Sequence, residues 1–241
     1  MEHTLAWKTG DFFFFICILL FTAGFLTFHF ISKSEKLKSR CIARFGEENF
    51  SVHWILFERL LGILFFGIVP AFILTIGFHK NLSDYGFSSD HLLLSFYWIL
   101  GLSPLIILMN YSNHRSKDNL AMYPQIRKKE WNFQLVLLSA LSWTAYLLAY
   151  EFMFRGYLLF IAIEYIGVWP ALALNICIYA LVHVPKGYKE AVGAIPLGIV
   201  LGLITVKTGN IWTALVVHVV MALSNEWLSL KAHPEMKFIK K

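Results

Sequence analysis

The sequence predicts an all-α fold, a polytopic bundle of about eight transmembrane helices. Three observations predict it. Apolar residues make up 58% of the chain and charged residues 15%, with a mean hydropathy of +0.62; soluble domains carry about 45–50% apolar and about 25% charged residues. The apolar residues gather into runs near the length of about 20 residues that crosses a bilayer. Positive charge collects in the short connections between those runs. An apolar excess of this size fits a chain whose outer surface faces lipid.

The runs are, in order, 12–31, 54–78, 91–109, 132–150, 152–169, 170–183, 192–206 and 211–230. The first exceeds the core of about 7–15 residues typical of a secretory leader and lacks a small-x-small cleavage site, so it reads as a span. Between Trp131 and Val168 the charged interruptions are Glu151, Arg155 and Glu164. One helix of that length would measure about 55 Å, against a hydrocarbon thickness of about 30 Å. The sequence therefore predicts two segments, breaking near Arg155-Gly156. Trp131, Trp169 and Trp212 fall at span ends, where interfacial aromatics sit.

The connection 32–50 holds Lys33, Lys36, Lys38, Arg40 and Arg44, and 111–130 holds Arg115, Lys117, Arg127, Lys128 and Lys129. Lys80 stands nearly alone between them. The positive-inside rule puts both basic loops in the cytoplasm and the N-terminus outside. Eight spans then leave the tail, with Lys231, Lys237, Lys240 and Lys241, on the opposite face. The organisation expected is N-terminal transmembrane helices over 1–130, a core over 131–230 and a basic tail over 231–241, without an internal repeat.

A net charge of +6 distributed in this way sets topology and meets lipid headgroups; it does not indicate nucleic acid. Cys17, Cys41 and Cys177 show no C-x-x-C spacing, so neither a disulfide framework nor a structural zinc site is indicated.

Polar groups inside apolar runs carry the functional information, because a charge at mid-bilayer costs about 2.5–3.5 kcal/mol on insertion scales. Glu151, Arg155, His183 and His218 form this set, with Asn225 as an addition. Taken singly they are ambiguous: Glu151 and Arg155, at helical spacing, suit a structural ion pair, and each histidine suits a packed, hydrogen-bonded residue. Threading the runs back and forth, however, brings one carboxylate, one guanidinium and two imidazoles toward one cavity. Such a set suits hydrolysis, with Glu taking a proton from water, one histidine sharing that water, and a second histidine or an amide donating to an oxyanion. No metal is assigned; if the site were metal-dependent, Glu151, His183 and His218 would be the Zn²⁺ ligands, although H-E-x-x-H spacing is lacking. Lys186 and Glu190 read as a surface pair. Glu58, Arg59, Glu164 and Glu226 read as interfacial, with snorkelling side chains.

Three segments resemble the CAAX-protease and bacteriocin-processing family, also called Abi or prenyl-protease-2-like. They are Tyr150-Glu151-Phe-Met-Phe-Arg155-Gly156, Tyr179-x-x-x-His183, and His218-x-x-x-Ala222 preceded by Thr208-Gly-Asn-Ile-Trp212. The family pattern is E-E-x-x-x-R, aromatic-x-x-x-H and H-x-x-x-N, and order and spacing agree over about 132–226. The resemblance implies an intramembrane endopeptidase in a bacterial plasma membrane, acting on membrane-associated or exported peptides. In that role Glu151 with His183 would activate water, His218 would stabilise the oxyanion, and Arg155 would fix Glu151. Two positions depart: Tyr150 replaces the leading Glu, and Ala222 the terminal Asn. Asn225 lies on nearly the same face as His218, a turn beyond Ala222. These departures motivate a second class, a non-catalytic membrane scaffold on the same fold. A third class, a small proton-coupled transporter, lacks the expected repeat symmetry.

Overall fold

The computed structural model describes residue 6, residue 8 and residues 10–239; Lys240 and Lys241 of the basic tail lie outside the described residues. Among these residues, seven helices are long and apolar enough to cross a membrane. They are α1 (Asp11–Ser32), α3 (Glu47–Gly77), α4 (Leu92–Asn113), α6 (Phe133–Ile166), α7 (Val168–Leu181, continued by a 3-10 turn to Lys186), α8 (Tyr188–Thr208) and α9 (Trp212–Ala232). The short helices α2 (Glu35–Phe45) and α5 (Lys117–Met122) lie in the two basic connections. The segments β1 (Glu130–Trp131) and β2 (Lys237–Phe238) pair in parallel.

The difference from eight spans lies in α6. No break occurs at Arg155-Gly156: the helix runs for 34 residues and changes from α to π over Phe152–Leu158. Bilayer thickness is no ceiling on helix length: wider π turns keep the backbone bonded where a break would strand it in hydrocarbon. Asn175 of α7 reaches across and donates Nδ2 to the Phe154 carbonyl at 2.7 Å. The chain reverses instead at Gly167, whose φ of 80° suits glycine. The helix α3 behaves similarly, with π turns on both sides of Pro70, which has no N–H to donate.

Joining the two expected segments repairs the topology. Four spanning helices now separate β1 from β2, an even number, and the strands meet: Lys237 N donates to Lys129 O at 2.9 Å and Ile239 N to Trp131 O at 2.7 Å. The two basic loops and the basic tail therefore share one face, which the positive-inside rule assigns to the cytoplasm. Trp131 is not an interfacial anchor. It is fully buried with Ile126 and Leu230 in a small core under the tail.

The main core surrounds α6. All seven residues of its π segment are buried, packed by Phe13, Cys17 and Phe21 of α1, Phe66 of α3 and Tyr179 of α7. Outward positions such as Phe30, Leu60, Leu93 and Leu141 remain exposed, as lipid-facing side chains should. On the outer side, the connection between α3 and α4 lies across the end of the bundle. Ile211 N donates to Gly86 O at 3.0 Å, Trp212 Nε1 to Ser88 O at 2.7 Å and Asn210 Nδ2 to Asp90 O at 2.7 Å. It rests directly on the π segment, where a Cβ on Gly156 would lie 2.5 Å from the Tyr85 carbonyl. On the cytoplasmic side, Gly187 ends the turn after His183, so Lys186 and Glu190 do not share a helix. Lys189 pairs with Asp118 instead, at 2.5 Å.

Candidate active site

Glu151 is the last residue of α6 before the π segment begins. That junction aims a fully buried carboxylate at two partners. Its Oε1 lies 2.5 Å from Nδ1 of His218 on α9, and its Oε2 lies 3.3 Å from Nη1 of Arg155, one turn on. The guanidinium of Arg155 is also fully buried and lies over the Tyr179 ring at 3.9 Å. Among the described residues it forms no hydrogen bond; the Glu151 charge and the Tyr179 face are what hold it. Tyr179 in turn accepts the Nδ1–H of His183 through its carbonyl at 2.7 Å.

The backbone and carboxylate partners fix both imidazoles in one sense. Each has Nδ1 committed, to Glu151 for His218 and to the Tyr179 carbonyl for His183. The neutral ring that donates from Nδ1 keeps Nε2 as an acceptor. Tyr150 packs against both rings, edge-on to His218 at 5.6 Å and to His183 at 6.5 Å between ring centres. Glu151 and Arg155 are sealed from solvent, whereas the His218 side chain is 11% exposed.

Of the residues singled out from sequence, Glu151, Arg155 and His218 meet directly. His183 joins them through Tyr179 and Tyr150. Asn225 does not join them; its Oδ1 accepts from Ser229 Oγ at 3.5 Å, beside Asn119 of α5. Seven residues of helix carry it about 10 Å along the axis from His218. Ala222 packs against Trp143 and Leu147 in an apolar cluster. The conditional Zn²⁺ set of Glu151, His183 and His218 is not assembled either: among the described residues no three such ligands are placed to hold a metal ion. The His183 ring is turned to its own helix, where its Nδ1 donates to the Tyr179 carbonyl.

Two residues read as interfacial are buried. Arg59 is 3% exposed and Glu226 fully buried. Arg59 Nη1 donates to Ser139 O at 3.0 Å and Ser142 Oγ at 2.7 Å, and Nη2 to Gln125 Oε1 at 3.2 Å. Glu226 accepts from Ser139 Oγ at 3.0 Å and from Gln125 N at 3.3 Å. The Arg59 guanidinium lies 4.3 Å over the Trp143 ring. A span starting at Trp54 put Arg59 at its edge. The helix starts at Glu47, two turns earlier, so Arg59 lies well inside. A signal was present: Arg59 and Glu226 are opposite charges within apolar runs, each set back from the same face. Asn175 gave no signal, because its partner carbonyl exists only once α6 turns into a π-helix.

Residues 130–224 match the family model described as type II CAAX prenyl endopeptidase Rce1-like. The matched stretch contains Glu151, Arg155, His183 and His218, and excludes Arg59, Gln125 and Glu226. No curated protein and no solved structure matches the chain.

Proposed function

We propose, from the match of residues 130–224 to the Rce1-like family model, that this integral membrane protein is an active intramembrane endopeptidase of the CAAX-protease and bacteriocin-processing family. The observation that carries the reading is the 2.5 Å contact between Glu151 Oε1 and His218 Nδ1. Both Glu151 oxygens are engaged, so water meets the pair through its imidazole. Nε2 of His218 takes a proton from water, the resulting hydroxide attacks the scissile carbonyl, and the imidazolium returns that proton to the departing amine. Glu151 orients the ring and stabilises its transient charge, as a buried carboxylate does for histidine in hydrolase triads. Arg155 keeps Glu151 ionised and pinned. His183, with a free Nε2, is the second polar group facing the reacting centre. Substrates are membrane-associated or exported peptides, and the membrane is a bacterial plasma membrane.

The test compares membrane-protein termini, by mass spectrometry, in cells carrying the wild type, Glu151→Gln or His218→Gln at equal abundance. New termini made by the wild type and lost in both variants support the reading and name the substrate. Termini identical in all three overturn it.

A second reading, a non-catalytic scaffold, is favoured by Tyr150, whose ring packs edge-on against both imidazoles where a second carboxylate would stand. Cleavage by Tyr150→Glu where the wild type cleaves nothing would establish that reading in place of the first.

A further inference from the structure

Two polar contacts join α6 to α9. One is Glu151–His218; the other, toward the cytoplasmic face, is Ser139–Glu226 at 3.0 Å. They run antiparallel, as the helices do. Along α6 they are separated by about 18 Å, and along α9 by about 12 Å, at about 1.5 Å per residue. The reach of the Glu and His side chains takes up the difference; one contact alone leaves the two helices free to pivot about it, and the second removes that freedom. Between the two contacts, Trp143 and Leu147 meet Ala222, Val219 and Leu223, an apolar seam with no chemical preference for one register over another. In lipid such seams are not driven together by the hydrophobic effect, and hydrogen-bonded polar groups set register instead.

We propose that Glu226, held by Ser139 and by Arg59 through their shared partners, is the positioning residue that fixes α9 against α6 and so presents His218 Nδ1 to Glu151. A slip of one turn would strand the Glu226 carboxylate opposite Trp143 and leave Arg59 without its counter-charge. The guanidinium brackets the contact from α3 and from the cytoplasmic connection, through Ser139 O, Ser142 Oγ and Gln125 Oε1. Three helices and one loop thus hold a site lying about 12 Å away along α9. The catalytic consequence rests on the peptidase reading above; the geometric consequence does not.

The experiment uses the full chain in lipid nanodiscs with ¹⁵N-labelled histidine. A short Nδ1–H bond from His218 to the Glu151 carboxylate gives a proton signal far downfield, which His218→Gln identifies by its loss. Four variants are compared: Ser139→Ala, Glu226→Leu, Glu226→Gln, and the double Arg59→Met/Glu226→Leu. The signal is expected to persist in Glu226→Gln, which keeps an acceptor for Ser139, and to disappear or move in Ser139→Ala and Glu226→Leu. The double variant removes both buried charges and is expected to regain thermal stability without regaining the signal, which a merely structural role would not produce. If a substrate is cleaved, kcat is expected to fall about 100-fold in Glu226→Leu with KM nearly unchanged, as for a misplaced catalytic group. An unchanged downfield signal in folded Ser139→Ala and Glu226→Leu overturns the inference. Absence of cleavage by the wild type overturns only the peptidase reading, and the histidine signal still decides this one.

Discussion

Glu151 and Arg155 invite an asymmetric pair of substitutions. Both side chains are fully buried, 3.3 Å apart, so removing one leaves the other's charge in a medium that cannot solvate it. Breaking a buried pair in this way costs about 3–5 kcal/mol. The partners are not equally exposed to that penalty. In Glu151→Gln the guanidinium keeps the Tyr179 face at 3.9 Å but has no anion, and arginine cannot shed its proton; the full figure applies. In Arg155→Met the carboxylate keeps His218 at 2.5 Å, and a histidine can take up the compensating proton. Methionine also replaces part of the contact with Tyr179. The expected cost there is smaller, about 1–3 kcal/mol, the penalty of leaving one buried acceptor, Glu151 Oε2, without its counter-charge. The double variant Glu151→Gln/Arg155→Met, with no charge left unpaired, is expected to be more stable than Glu151→Gln by about 2 kcal/mol. Unfolding in mixed detergent micelles by added SDS, followed by tryptophan fluorescence, measures all three. A costlier Arg155→Met, or a double variant no more stable than Glu151→Gln, refutes this asymmetry.

Other expectations use the same assay. Gly156→Ala should cost about 1–3 kcal/mol, because its Cβ meets a backbone oxygen that belongs to the outer connection. Asn175→Ala should cost about 1–3 kcal/mol by orphaning the Phe154 carbonyl, and Asn175→Asp should cost more, since a carboxylate brings acceptor against acceptor. The Lys189 ammonium beside Asp118 holds that carboxyl below its usual range. A depressed carboxyl stabilises the fold above its unfolded pKa of about 3.9 and loses that effect as pH falls through the folded value. Stability should therefore show no Asp118-dependent change from pH 8 to pH 5, and both partners are exposed enough that Asp118→Asn should be nearly neutral at pH 7.

The architecture was legible because apolar runs and basic loops are one-dimensional signals. The four residues at the centre of the site were legible for the opposite reason: charges and imidazoles stand out where lipid-facing side chains are the rule. What failed was distance along the membrane normal. Arg59 and Glu226 looked peripheral because the start of α3 was set too late and because a carboxylate near a span end looks the same from sequence whether it faces water or Ser139. The break placed at Gly156 failed because glycine served two readings. It can end a helix, or it can let a neighbouring backbone approach, and the Tyr85 carbonyl beside it selects the second. Asn225 failed on pitch, since sharing a face with His218 does not bring it to the same depth.

The unbroken α6 has a consequence for the lipid around it. Its 34 residues reach about 51 Å at about 1.5 Å per residue, well beyond a hydrocarbon slab of about 30 Å. Its neighbour α7, 19 residues with its 3-10 continuation, reaches about 28 Å at about 1.5 Å per residue and matches the same slab. Gly167 therefore joins an overlong wall to a matched one, and the excess of α6 is taken up by tilt or by local thickening of the lipid on its flank.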